Sequence, residues 1–245
     1  MKEGERRFYT PKGFCHAFKD YTGQRINPAE QKDVDEFLMN LMDHLETALK
    51  GTPAFGKIKE LFNGEFANEL VGQQCEHIRV KKENFFSINL EVSNKSSLEE
   101  SLEAFVKGEM LQGDNAFYCE RCDRKKPFLK RTSIGQLPNT MIVCLKRFEF
   151  NFETMTRVKI NEKIEFPQQF SMKKYTRENL QKQDLLKEME EKQWSEEELS
   201  AEKKAILDFS LPDEYYQYEL KGILIHNGTA DSGHYYSFIQ ERDGD

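Results

Sequence analysis

No stretch of this 245-residue chain approaches the roughly 20 consecutive apolar residues that a membrane-spanning helix needs. Behind the charged Met1-Lys2-Glu3-Gly4-Glu5-Arg6-Arg7 there is no apolar segment either, so the amino terminus does not read as a secretory leader. A basic excess is also missing. With 36 Lys/Arg against 43 Asp/Glu the net charge is −7, which argues against a general nucleic-acid binder. Cysteines are few and odd in number, five with one Cys-x-x-Cys pair. They point to a reducing compartment, cytoplasmic or nuclear, and to metal binding rather than a disulfide framework. Internal repeats and low-complexity tracts are absent. What is present is 38% hydrophobic and 32% charged residues in a length that buries a substantial core, as one large domain or two small ones.

Asn27-Pro28-Ala29-Glu30 reads as a helix start, with Asn27 as cap, Pro28 at the first helical position and Glu30 closing a capping box. Val34, Phe37, Leu38, Leu41, Met42, Leu45 and Leu49 then mark one face of an amphipathic helix that ends near Gly51. Residues 84–92 alternate as a strand, and Ser97-x-x-Glu100 opens a short helix with Leu98, Leu102, Phe105 and Val106 inward. Residues 139–150 form the strongest strand signal, with 157–166 returning to pair with it. Two further strands, near 217–226 and 234–241, flank a glycine-containing loop. Between the strand at 157–166 and these two, residues 173–208 carry eight Lys/Arg and ten Asp/Glu and read as a surface helical insertion, largely solvated, with Ser195-x-x-Glu198 capping its second helix. Helices come mainly first and strands later, which predicts an α+β fold with an antiparallel sheet.

The most specific pattern lies at the carboxyl end: Gly222-Ile223-Leu224-Ile225-His226-x-Gly228, then Asp231-Ser232-Gly233-His234-Tyr235-Tyr236-Ser237-Phe238. It places His234 at the start of a strand after a glycine turn, where an imidazole can polarise a thiol, and Gly233 leaves room for an extended substrate backbone. Taken alone, the segment also fits an ordinary hairpin containing a histidine. The whole string resembles the histidine box of the ubiquitin-specific proteases, a papain-like family of deubiquitinases. Two more segments match that family in the same order. Gln31-Lys32-Asp33-Val34-Asp35-Glu36-Phe37-Leu38 resembles its glutamine–aspartate box, with Lys32 in place of a second glutamine, and Leu137-Pro138-Asn139-Thr140-Met141-Ile142-Val143-Cys144-Leu145-Lys146-Arg147-Phe148 resembles the strand ahead of its substrate channel. The resemblance implies a palm-and-fingers sheet with part of a helical thumb. On that reading residues 1–55 are the thumb remnant, 56–170 fingers and palm, 171–212 the insertion, and 213–245 palm strands with the histidine box. It further implies hydrolysis of isopeptide bonds after the terminal glycine of ubiquitin, with His234 as the base. Gln31 and Asp33 would hold the tail of ubiquitin, and ubiquitin and ubiquitinated proteins would be the partners, with no nucleic acid and no membrane. His226 is read as structural, Glu36 as a helix-dipole residue, and Cys144 as a small, unreactive packing group.

Tyr118-Cys119-Glu120-Arg121-Cys122 has knuckle spacing but supplies half a tetrahedral site. The family often has a second Cys-x-x-Cys upstream, where this chain has Cys75 and His77; the resemblance thus implies a structural zinc on Cys75, His77, Cys119 and Cys122. The basic residues around Arg121 to Arg131 read as a solvated fingertip. The family's nucleophilic cysteine box is not found. Cys15, the sole cysteine ahead of Gln31, lacks its neighbours, and Phe14 and Phe18 suggest a helix packed in the core. The segment carrying the residue that orients the histidine is not found either. The expectation is therefore a fragment, truncated at both ends, of a cysteine-type deubiquitinase, inactive alone; the alternative is a non-catalytic ubiquitin-binding module or scaffold.

Overall fold

The computed structural model describes residues 10–27, 32–75 and 77–240. A short helix α1 (Lys12–Ala17) precedes the long helix α2 (Val34–Leu49). The cap expected at Asn27 is displaced. Pro28 and Glu30 lie outside the described residues, and the helix starts at Val34, where Asp33 Oδ1 accepts from the N–H of Asp35 (2.8 Å) and of Glu36 (3.2 Å). A carboxylate bonding two otherwise unpaired amides is a strong helix start, and its charge suits the positive end of the helix. Phe18, just past α1, is buried, stacks on Phe14 and packs at an angle on Phe37 and His44, so α1 rides on the apolar face of α2 while its own residues stay out of the core.

Helix α3 (Lys57–Phe62) leads into β1 (Gly64–Gly72), which pairs antiparallel with β2 (Ile78–Phe85). The strand expected over 84–92 is broken at Ser87, so that β3 (Ile88–Glu91) belongs elsewhere. Helix α4 (Leu98–Lys107) begins at Ser97, whose Oγ accepts from the N–H of Glu100 (3.2 Å). The carboxylate of Glu100 turns to the N–H and hydroxyl of Ser96 instead of closing the box on Ser97. Next come β4 (Glu109–Leu111), a small hairpin of β5 (Phe117–Cys119) and β6 (Arg124–Lys126), and β7 (Phe128–Gln136). The sheet order β2-β1-β7-β4 makes β1 and β7 the central strands of the main sheet.

The segment after Leu137 splits at Arg147 into β8 (Val143–Lys146) and β9 (Phe148–Asn151). As expected, a following strand, β10 (Thr156–Lys159), returns antiparallel on β9. β8 pairs with β3 in parallel, one parallel pair within an otherwise antiparallel set of described strands. Parallel neighbours need a long crossover, and here the whole excursion from α4 to β7 supplies it. β11 (Gln169–Ser171) precedes α5 (Arg177–Lys192) and α6 (Ala201–Asp208), after which β12 (Gln217–Glu219) returns to pair with β11. β13 (Gly222–Gly228) and β14 (Gly233–Ile239) close the described chain as an antiparallel hairpin.

The core gathers Phe85, Ile88, Leu90, Leu98, Leu102, Val106, Ile134, Leu137, Met172, Tyr175 and Tyr216. The other face of the main sheet is covered by α5, so the insertion over residues 173–208, mostly exposed, has an inner face packed on the sheet. Leu185 and Leu199 are buried, and the fully buried carboxylate of Glu69 on β1 accepts from Arg131 Nε (3.0 Å), Arg177 Nε (2.8 Å), Gln181 Nε2 (3.3 Å) and Ser133 Oγ (3.4 Å). Arg131 also donates to Asp184 Oδ2 on α5 (2.6 Å). Only the outer face of the insertion is wet. There the Ser195–Glu198 box caps a 3-10 turn, Ser200 caps α6, and Lys192 and Lys203 each lie 4.5 Å from the Trp194 ring. A buried ion pair that loses one partner leaves an uncompensated charge. Arg131→Met is therefore expected to cost about 3–5 kcal/mol, read as a lowered urea midpoint, because Glu69 stays buried.

Candidate functional site

His234 is the second residue of β14, opposite Asn227 of β13, at the mouth of a turn closed by Thr229 N–H donating to the Ser232 carbonyl (2.7 Å). Its ring is exposed and bonds to no thiol, carboxylate or carbonyl among the described residues. The hairpin is seated on β9 and β10. Lys159 Nζ donates to the carbonyls of His226 (2.9 Å) and Gly228 (3.2 Å), and the His226 ring stands between Phe148 and Tyr235, with centroids 5.3 and 4.8 Å away. Burial, helped by the charge of Lys159, holds His226 below the usual imidazole range and so favours the neutral ring. The space beside Gly233 has a different owner from the one expected. A Cβ there would stand 2.3 Å from His226 Nε2 and 2.4 Å from the Asn227 carbonyl, so the glycine makes room for the chain's own histidine and backbone.

Asp33 caps α2. Burial first, then the charge of Asp33, raises the Tyr235 phenol above its usual range. Gln31 lies outside the described residues. Sequence reasoning passed over Asp35, the second residue of α2. Its Oδ1 accepts from Ser87 Oγ (3.0 Å) and Cys144 Sγ (3.5 Å), and its Oδ2 from Asn89 Nδ2 (3.2 Å), so one carboxylate ties the helix to the start of β3 and to β8. Cys144 is thus a hydrogen-bond donor as well as a packing group, and burial, reinforced by Asp35, pushes its thiol up to about 12. Cys15 on α1 is half-buried.

At the far end of the main sheet a second cluster forms. Cys75, His77, Cys119 and Cys122 offer ligand atoms that all lie within 4.8 Å of one another; His77 Nδ1 is 3.2 Å from Cys119 Sγ and 3.5 Å from Cys122 Sγ. The β5–β6 hairpin supplies two thiols, with Cys122 N–H donating to the Cys119 carbonyl (3.1 Å). The end of β1 supplies the rest, and Gly72 is needed there because a Cβ would stand 2.7 Å from Cys75 Sγ. Burial raises the Cys119 thiol, but donors from His77 and the Cys122 amide outweigh it and bring it down to about 6; burial and the neighbouring sulfurs raise Cys122. Three sulfurs and one imidazole at this spacing fit a tetrahedral soft-metal site.

A family model described as ubiquitin carboxyl-terminal hydrolase matches residues 1–245. The chain is 35% identical over 254 residues to ubiquitin carboxyl-terminal hydrolase 9Y of Homo sapiens, covering 100% of this chain and 9% of that protein. The chain belongs to the ubiquitin carboxyl-terminal hydrolase family. It is also 35% identical over 234 residues to the probable ubiquitin carboxyl-terminal hydrolase FAF of Drosophila melanogaster, with 95% of this chain and 8% of that protein covered. It thus spans less than a tenth of the length of these relatives. Among solved structures it is similar to the SAGA Ubp8/Sgf11/Sus1/Sgf73 DUB module bound to ubiquitin aldehyde, with a TM-score of 0.65 and 26% identity over 88% of this chain and 43% of that one.

The Cys144 thiol has a measurable signature. Its pKa is raised on folding, so the contribution is complete below the ordinary thiol value near 9 and is lost as pH rises towards about 12. Cys144→Ser keeps a donor for Asp35 and removes the titration. Urea midpoints compared at pH 7 and pH 10 are expected to fall further in the unchanged chain than in Cys144→Ser.

Proposed function

We propose that this chain is the ubiquitin-binding and histidine-bearing part of a thiol-dependent deubiquitinase, acting on ubiquitinated proteins in the cytoplasm or nucleus. The observation that carries the reading is His234, exposed and unbonded among the described residues, at the start of a strand in a hairpin braced by Lys159 and Phe148. An imidazole free of internal partners suits a base that takes the proton of a thiol and later gives it to the departing lysine amine. Asp33 supplies the tail ligand: its Oδ1 is held by the helix amides, and Oδ2 has no partner among the described residues. A carboxylate in that state matches the N–H groups and arginines of ubiquitin's tail. Gln31 is the other ligand proposed there.

In the full-length protein, His234→Ala is expected to lower turnover of a fluorogenic ubiquitin substrate about 10²–10⁴-fold, the usual worth of a general base. Binding of ubiquitin should hold, and turnover within a few-fold of the unchanged enzyme would refute the assignment. One observation favours a second reading, a non-catalytic ubiquitin-binding module: none of the five cysteines bonds to His234 among the described residues. A ubiquitin probe with a thiol-reactive carboxyl terminus is expected to leave the 245-residue chain unlabelled. Labelling at Cys15 that disappears in His234→Ala would instead make Cys15 the nucleophile.

The metal we assign to the far cluster is zinc, held by Cys75, His77, Cys119 and Cys122. Bound there, it supplies a structural cross-link between β1 and the β5–β6 hairpin and takes no part in the reaction. Protein purified without chelator is expected to carry about one zinc per chain, as one tetrahedral site requires, and Cys119→Ser to lose it together with several degrees of thermal stability. Well-folded protein free of zinc would refute the assignment.

A further inference from the structure

Among the described residues, Asp35 is a strongly engaged carboxylate at the start of α2 to which nothing above gives a part in function. Its two oxygens accept three side-chain hydrogen bonds from partners 52, 54 and 109 residues away in sequence: Ser87, Asn89 and Cys144. A carboxylate so occupied has little capacity left for a ligand. It sits two positions after Asp33, and the Asp35 amide is itself one of the two N–H groups that Asp33 Oδ1 accepts. The same residue therefore joins the cap of α2 through its backbone and the β3–β8 pair through its side chain. The apolar face of α2 cannot fix the start of the helix so tightly, because Val34, Phe37 and Leu38 are only partly buried.

We propose that Asp35 is a positioning residue: it pins the first turn of α2 to β3 and β8 and so holds the Asp33 carboxylate at the place where the tail of ubiquitin enters. This rests on the reading of Asp33 as a tail ligand. A pin that served stability alone would weaken every contact of the domain with ubiquitin to a similar extent. A pin that serves Asp33 weakens only the contacts made by the tail, and that difference separates the two roles.

The test measures affinity of the 245-residue chain for intact ubiquitin and for ubiquitin lacking its carboxyl-terminal tail. The unchanged chain should bind the intact form more tightly. Asp35→Ala should weaken the intact form by about tenfold, the worth of one charge-assisted hydrogen bond to the tail, and leave the truncated form unchanged. Asp35→Asn, which can still accept from Ser87 and Cys144, should recover most of the loss. Should Asp35→Ala fail to fold, Ser87→Ala with Asn89→Ala removes the donors from the other side and should give the same tail-specific loss. If the preference for intact ubiquitin survives Asp35→Ala, or if both forms weaken equally, the positioning role is refuted while the reading of Asp33 stands. No tail preference in the unchanged chain refutes the tail channel itself, and the proposal with it.

Discussion

The fold depends on one shared apolar core, because its strands are dispersed. Apart from the sheet β2-β1-β7-β4, the described strands form separate two-stranded pairs, and an isolated pair is marginal in water. Ile88 and Leu90 of β3, Leu102 of α4, Ile134 of β7, and Met172, Tyr175 and Tyr216 at the ends of the insertion are each nearly or fully inaccessible and belong to a single cluster. Removing water from all of them together is what makes β3–β8 and β11–β12 cohere with the main sheet. Non-directional burial of this kind brings elements together but leaves their angles and registers loosely defined.

Two carboxylates supply the direction. Glu69, wholly buried, draws Arg131 of β7 and Arg177 and Gln181 of α5 to one point, which fixes how the insertion lies on the back of the sheet. Asp35, half-buried, does the same for α2 against β3 and β8. The environments differ, and so do the consequences. Desolvating Glu69 costs several kcal/mol and is offset only while both arginines stay in place, so this contact secures orientation more than net stability. Asp35 keeps partial hydration and accepts from neutral donors, which suits a contact that orients the start of a helix rather than one that neutralises a buried charge.

How far the sequence could be read follows from the range of each interaction. The stripe from Val34 to Leu49, the β9–β10 return and the histidine hairpin were legible, since each is written in residues close together in the chain. The start of α2 was misplaced because two local signals competed: Asn27-Pro28 looked like a cap, yet Asp33 makes the bonds. The inner face of α5 was not legible because its charged residues looked solvated, and the partners of Arg177 and Asp184 lie 108 and 53 residues away. Asp35 was invisible for the same reason. Half of the metal cluster, Cys119 and Cys122, is plain in the sequence; Cys75 and His77 needed the turn after Gly72 to bring them in.

The two ends of the molecule differ in what closes them. At the metal cluster, four ligand groups converge within the described chain, so the end of β1 and the β5–β6 hairpin can be locked by an ion that the chain alone can hold. At the histidine hairpin the inside is furnished by Lys159, Phe148 and His226, but the strand face that carries His234 also carries Tyr236 and Phe238, 45% and 62% exposed. Alternation along β14 puts these three side chains on one side. Aromatic groups left that open beside an unbonded imidazole form a surface that still has apolar area to bury. The same strand face is therefore suited to both tasks that the proposed reaction sets: a firm seat for the imidazole from behind, and an apolar front against which the thiol-bearing element and the substrate can exclude water from the reacting atoms.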